Sequence, residues 1–264
     1  MDVEDKLITP VDGLRLPDAI TVKFGPAELL TRFILTGDKQ VRDKGLKLRL
    51  RHNFNALREL NEAETARGNW FKLVYMFDPE VSDLSPDNAF WISAENEAGE
   101  IVACQAARIY HWPNSTLEDE ARLMFYGGRE LGQRCEITTP AAREVTGWVY
   151  YGGALWVRPD YRGIGLSAIV PRLVRAYAMT RWPIDWTISF VARVQIDKGI
   201  VAGYGYRDIS YSIRFPDSDW GDLEVALIRM SSREIFEDLA SVLRRSSSPT
   251  GSGSVRSGEA VTAA

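Results

Sequence analysis

The stretch Thr146–Tyr177, TGWVYYGGALWVRPDYRGIGLSAIVPRLVRAY, decides how the rest of the chain is read. Val149, Tyr151, Leu155 and Val157 fall on alternate positions, which predicts a strand. The chain then passes through Pro159-Asp160-Tyr161 into Arg162-Gly163-Ile164-Gly165-Leu166-Ser167. Beyond it Leu166, Ile169, Val170, Leu173, Val174 and Tyr177 recur at helical spacing and predict one buried stripe. Pro171 inside that stripe should cost a backbone hydrogen bond and bend the helix. A strand feeding a glycine loop that opens a helix makes an anion site: glycines let the backbone approach, unpaired N–H groups point outward, and the helix dipole favours negative charge. Ser167 adds a hydroxyl and Arg162 a cation suited to phosphate. A pyrophosphate is the natural ligand for such a loop.

Three phosphate loops compete for this reading. The P-loop needs Gly-Lys-Ser/Thr, and no Lys follows Gly165. The dinucleotide loop G-x-G-x-x-G tolerates Ala at its last position, here Ala168, but expects an acidic residue at a strand end about 20 residues on. Asp185 is near that distance, yet it precedes its strand. The third is the R/Q-x-x-G-x-G/A loop of the GNAT superfamily of acyl-CoA N-acyltransferases. Leu155-Trp156-Val157-Arg158-Pro159-Asp160-Tyr161-Arg162-Gly163-Ile164-Gly165 resembles that family's strand-loop phrase almost position for position. Ser167 departs from the usual small Gly or Ala.

The flanking segments follow the same order. Ala89–Ala94 and Ile101–Tyr110 predict a hairpin across Glu95–Glu100, similar to the family's meander ahead of the cofactor strand. Trp186–Ala192 predicts a buried strand. Gly205-Tyr206 resembles the helix-Gly-Phe signature with Tyr in place of Phe. Ile209–Phe215 and Leu223–Met230 predict a second hairpin. A last helix begins at a Ser231/Glu234 capping box and carries Ile235, Phe236, Leu239, Val242 and Leu243 on one stripe. The resemblance spans about residues 89–230. It implies an α/β fold, GNAT-like, with a twisted and mostly antiparallel mixed sheet flanked by helices.

The remaining segments organise around that domain, read as one unit over residues 1–245. Residues 1–75 predict an N-terminal helical extension: one helix over Glu28–Leu35, led by Pro26, and a longer one from about Val41 to Ala66. Arg42, Lys44, Lys47, Arg49, Arg51 and Arg58 make the second strongly basic, a solvated face or a contact for a phosphate-bearing ligand or an acidic partner. Phe71–Met76 predicts a short strand or helix start. Residues 113–143 form an insertion, with a helix over Leu117–Phe125 capped by Ser115 and ended by Gly127-Gly128. Glu118, Asp119, Glu120, Glu130 and Glu136 in this insertion would give an acceptor lid an acidic lining suited to a cationic amine. Residues 246–264 are rich in Ser, Gly and Ala and predict a disordered tail.

Composition narrows the chemistry. The chain has 264 residues, 45% hydrophobic, with net charge −4 and an estimated pI of about 5.4. That leaves no global electrostatic case for nucleic acid. Two cysteines, Cys104 and Cys135, and two histidines, His52 and His111, supply neither a disulfide framework nor a metal centre. Cys104 falls in a strand and reads as a small core hydrophobe rather than a nucleophile. No run approaches the roughly 20 apolar residues that span a bilayer, and MDVEDKLITP is no signal peptide. A soluble cytoplasmic protein is expected, its oligomeric state unread.

The resemblance further implies acetyl-CoA, or another acyl-CoA, as co-substrate, without a metal. Backbone N–H groups of Arg162, Gly163, Ile164, Gly165, Leu166 and Ser167 would take its pyrophosphate. Leu155, Trp156 and Val157 would pair with the pantetheine amides and offer an N–H to the thioester oxygen. A primary amine of a small molecule or peptide would be the acceptor. Acyl transfer also needs a base for the amine and an acid for the thiolate. The carboxylate that many members carry on the cofactor strand is missing: Tyr150-Tyr151-Gly152-Gly153-Ala154 stands there. Val201 occupies the position of the usual Tyr, and Tyr204 lies nearby out of register. Tyr150, Tyr151, Glu144 and Ser189 are the substitutes. Positioning with water as base, or an acid and base from the insertion, are the other routes. A binding module without turnover, from a different class, remains the rival. A cofactor without pyrophosphate, S-adenosylmethionine, fits the intact loop less well.

Overall fold

A computed structural model describes residues 12–127 and 133–247. Among the described residues nine strands form one mixed sheet in the order β1-β2-β3-β4-β6-β7-β9-β8-β5. They are β1 (Leu14–Arg15), β2 (Lys47–Arg51), β3 (Ala89–Glu95), β4 (Ile101–Trp112), β5 (Glu136–Ile137), β6 (Gly147–Val157), β7 (Trp186–Ala192), β8 (Asp208–Ser218) and β9 (Gly221–Ser231). Every neighbouring pair is antiparallel except β6 and β7. Helices α1 (Ala27–Arg42), α5 (Leu166–Arg181) and α7 (Ser232–Ser247) pack their apolar stripes on one face. Helices α2 (Phe54–Ala66), α3 (Leu117–Phe125) and α4 (Ala141–Glu144) cover the other. A short helix α6 (Arg193–Asp197) follows β7. This is the mixed, mostly antiparallel sheet flanked by helices that the order of motifs implied. No helix among the described residues is long and apolar enough to cross a membrane.

Several local expectations change. The helix expected from Val41 to Ala66 is three elements: the end of α1, strand β2, then α2. Leu46 and Leu50 are four apart, which suits a helix, but Leu48 and Leu50 are both buried and Lys47-Leu48-Arg49-Leu50-Arg51 alternates with period two. Gly45, at φ +75°, breaks the chain before it, and Asn53 caps α2 by accepting from the Ala56 N–H. The basic residues are therefore no helix face. Arg49 and Arg51 converge on Glu95 of β3, at 2.9 and 2.5 Å. The segment 1–75 is consequently no appended helical extension where it is described, because β1 and β2 extend the sheet. Phe71–Met76 is a loop leading into a 3-10 turn, Tyr75–Phe77.

In the insertion, Thr116 rather than Ser115 caps α3, through a capping box with Asp119. Gly128 and Glu130 lie outside the described residues, as does the tail beyond Ser247, while Ser246 and Ser247 finish α7. The capping box of α7 forms as read, with Ser231 and Glu234 bonded at 2.8 Å. Helix α5 runs through Pro171 to Arg181, its stripe buried against the sheet.

Strand β6 holds the change that matters most. Its register against β4 slips by one residue, so that Ala154 and Leu155 together oppose Gln105. Ala154 adopts φ +51°, the left-handed region that a non-glycine residue enters at a cost of about 1 kcal/mol or more. This β-bulge shifts the side-chain phase. Val149 and Tyr151 face the α2–α3 side, as do Ala154 and Trp156, whereas Leu155 and Val157 pack with the α5 side. The four residues expected on one face are thus divided between two.

Candidate active site

Strands β6 and β7 pair in parallel over only three positions, Val149↔Trp186, Tyr150↔Thr187 and Tyr151↔Ile188. Beyond Tyr151 and Ile188 they part. β7 continues to Ala192 in register with β9, and β6 continues through its bulge along β4. Along this stretch β7 gives the facing edge of β6 no ladder partner, so its backbone groups there are open to a ligand.

The gap holds two adjoining cavities. The outer one, a cleft of about 520 Å³, runs along Leu155, Trp156 and Val157 to Arg162, Gly163, Leu166 and Ser167 at the start of α5. Gly163 and Gly165 have φ of +83° and +85°, and a Cβ at either would meet nothing within 4 Å. Their requirement is conformational: they turn the loop so that the first N–H groups of α5 face outward. Of the predicted cofactor residues, all but Trp156 and Leu166 are at least partly exposed. The structure brings Leu155, Trp156, Val157, Arg162, Gly163, Leu166 and Ser167 onto one wall, with Ile164 and Gly165 in the loop between.

Arg162 does more than offer a charge. Its guanidinium donates to the Val157 carbonyl at 3.1 Å and to the Asn69 carbonyl at 3.3 Å, tying the loop 68–71 to the end of β6. That loop supplies the opposite wall. Trp70 stacks on Trp156 with ring centres 5.5 Å apart, and both indole N–H groups are buried without a partner. The far wall comes from the 3-10 turn Val201–Tyr204, where Tyr204 lines the cleft. Two arginines of α5 hold this turn: Arg172 donates to the Gly203 carbonyl, and Arg175 to the Tyr204 carbonyl at 2.5 Å. Asp238 of α7 faces both, 2.8 Å from Arg172 and 3.9 Å from Arg175. Burial pushes the Tyr204 hydroxyl up to about 12, so it carries its proton at neutral pH.

The inner cavity is a chamber of about 320 Å³ on the bulge side of the gap, bounded by Tyr151, Ala154, Phe190, Phe125, Trp220 and Val225 among others. Phe71 and Gln195 line both cavities and mark their junction. Among the described residues no charged side chain lines the chamber.

The four substitutes for an acid or base are not gathered here. Tyr151 alone reaches the chamber. Tyr150 faces the opposite side of the sheet, under α5, with a buried and unpartnered hydroxyl. Desolvation pushes both phenols well above their ordinary value, which makes neither a base at neutral pH. Ser189 alternates with Phe190 and Ala192 and so points to the face away from the chamber. Glu144 precedes β6 at its far end, roughly 23 Å of strand from Ala154 counted from Gly147, and pairs with Arg229 at 2.9 Å. The acidic lid also takes another form. Glu118 pairs with Arg143, Asp119 caps α3, and Glu120 accepts from Ser115, while the insertion presents Phe125 to the chamber. Both thiols are pushed up by burial, Cys135 to about 12. No cluster of three metal-binding side chains occurs among the described residues.

Trp70, Phe71 and Gln195 carried no signal in the sequence, and Tyr204, set aside as out of register, lines the cleft. Gly152-Gly153 was the signal available for the bulge, since glycine inside a strand pattern marks one.

No family model and no curated protein matches the chain. Solved structures do. The aminoglycoside acetyltransferase AAC(6')-Ib in complex with coenzyme A and kanamycin is 13% identical, with a TM-score of 0.42 over 73% of this chain and 98% of that one. Arabidopsis thaliana NAA60 in complex with acetyl-CoA is 11% identical, at 0.45 over 71% and 99%. The GNAT domain of S. lividans PAT is 14% identical, at 0.39 over 70% and 90%. Likenesses at this level carry no function across to this chain.

Proposed function

We propose that this protein binds an acyl-CoA in the cleft and transfers the acyl group directly to a primary amine, as the resemblance to GNAT N-acyltransferases implies. One observation carries the reading: β6 and β7 part beyond Tyr151 and Ile188, and the gap opens onto the glycine-turned start of α5. The N–H groups of Gly163, Gly165, Leu166 and Ser167 would take the pyrophosphate, helped by the helix dipole. The open edge of β6 at Leu155–Val157 would pair with the pantetheine amides as an added strand would. The bulge at Ala154 would direct a backbone N–H at the thioester oxygen, where negative charge grows as the amine attacks.

In the transfer the amine nitrogen bonds to the thioester carbon and the C–S bond breaks. Among the described residues no Asp, Glu or His lines either cavity, so the acceptor enters as its free amine and gives its surplus proton to water. Tyr204, which keeps its proton on the cleft wall, would donate a hydrogen bond to the leaving thiolate, which then takes its proton from solvent. The same lack of a carboxylate or imidazole supports a second reading, in which the protein holds acyl-CoA without turnover. Steady amine-dependent release of thiol separates the two.

The binding test is calorimetric titration of acetyl-CoA into wild type and Ser167→Glu. Ser167 is the second residue of α5, where an acidic side chain favours the helix, so the variant keeps its fold while repelling a pyrophosphate. The expected result is micromolar binding by wild type, weakened about a hundredfold in the variant. Equal affinities would place the ligand elsewhere.

A further inference from the structure

The chamber is larger and drier than an acetyl group needs. At roughly 30 Å³ for a water-sized group such as a methylene, 320 Å³ corresponds to about ten heavy atoms. Its walls are aromatic and aliphatic, and they come from every side of the gap: Tyr151 and Ala154 from β6, Phe190 from β7, Val225 from β9, Phe125 from α3 and Trp220 from the β8–β9 turn. The apolar character continues to the mouth, where Phe71, Val194 and Ile200 stand 47%, 53% and 37% exposed, well above the norm for such side chains in this core. Phe71 and Val194 border the chamber and Ile200 the cleft. The aspartates beside the lining in sequence are engaged elsewhere: Asp197 pairs with Arg193, Asp219 accepts from Tyr75 and pairs with Lys72, and Asp222 pairs with Arg214.

Direction along β6 says which part of a ligand arrives there. A chain lying antiparallel or parallel to Val157, Trp156 and Leu155 reaches Ala154 at the bulge, and its continuation in line passes Gly153 toward Tyr151, where β6 and β7 close. Resting on the acyl-CoA reading above, we infer that the chamber takes the acyl chain itself, and that the preferred co-substrate carries an uncharged chain of about six to ten carbons rather than acetate. Its apolar mouth shields the chain while the thioester sits at the bulge.

The test is calorimetry with coenzyme A, acetyl-CoA and octanoyl-CoA on wild type, Ala192→Phe and Leu223→Trp, the last two filling the chamber from separate strands so that one misfolded variant does not decide the outcome. Each buried methylene is worth about fourfold in affinity. With six more methylenes and the cost of ordering them, octanoyl-CoA should bind at least tenfold tighter than acetyl-CoA. A filled chamber should remove that advantage and leave the affinity for coenzyme A unchanged. Coenzyme A binding with no gain from the longer chain would overturn the inference while sparing the acyl-CoA reading. So would 2-phenylethylamine binding the coenzyme-saturated protein with acyl length making no difference, since the chamber would then serve the acceptor. Absence of any coenzyme A binding would end both.

Discussion

The cleft and the chamber share strand β6 and are built in opposite ways. The cleft's β6–α5 wall is made from backbone: a strand edge that β7 leaves open, two glycines with positive φ and the first turn of a helix. The chamber is made from side chains of seven segments, with hardly a polar group among them. On the function proposed above, the backbone wall would recognise what every acyl-CoA has in common, and the side-chain chamber what differs between one acyl chain and the next. The bulge at Ala154 is where one gives way to the other.

The largest expected effect bears on whether the cleft's far wall is an independent part of the frame. Asp238 is buried between Arg172 and Arg175, which hold the carbonyls of Gly203 and Tyr204. Removing one partner strands buried charge, so Asp238→Ala should cost about 3–5 kcal/mol in chemical denaturation. A loss under about 1 kcal/mol would mean that the arginines are solvated and that the turn is held by other contacts. The hundredfold effect of Ser167→Glu on coenzyme binding comes next, and it should leave the chamber's preference for long chains in proportion.

Tyr204→Phe sharpens the division of labour further. It should leave acetyl-CoA affinity unchanged and lower kcat tenfold or more. Because no carboxylate or imidazole lines either cavity among the described residues, kcat/KM should rise with pH toward the pKa of the amine acceptor in both proteins. A plateau set near pH 6–7 whatever the amine would reveal a base belonging to the protein.

The smallest effect lies outside both cavities and serves as a control on the frame. Burial lowers the pKa of His52, opposed by its bond to the Ala89 carbonyl, with Arg181 lowering it further and Asp12 raising it. A His kept neutral in the fold binds fewer protons than in the unfolded chain, so stability is lost as pH falls through about 6.5, its unfolded value. His52→Gln should flatten the stability profile between pH 7.5 and 5.5 relative to wild type. An unchanged slope would show that His52 titrates alike in both states.

The same division explains what the sequence made legible. The loop Arg162–Ser167 is local, and its glycines, strand and helical stripe are contiguous, so its role could be read residue by residue. The chamber joins Phe71, Phe125, Phe190 and Trp220 across about 150 positions, and each alone looks like core. The bulge was announced only by Gly152-Gly153, and missing it placed Tyr151 and Leu155 on one face when they occupy two. Strand β2 was hidden because Leu46 and Leu50 satisfy a helical spacing as well as Leu48 and Leu50 satisfy a strand's. The acidic residues of the insertion suggested a cationic acceptor because composition does not show which carboxylates are already paired.

The decisive experiment is a crystal structure with coenzyme A bound. The pyrophosphate should lie on the N–H groups of Gly163–Ser167, the pantetheine should pair along Leu155–Val157, and the sulfur should sit at the Ala154 bulge facing the chamber. A coenzyme lying elsewhere on the protein, or with its sulfur turned away from Ala154, would contradict that placement.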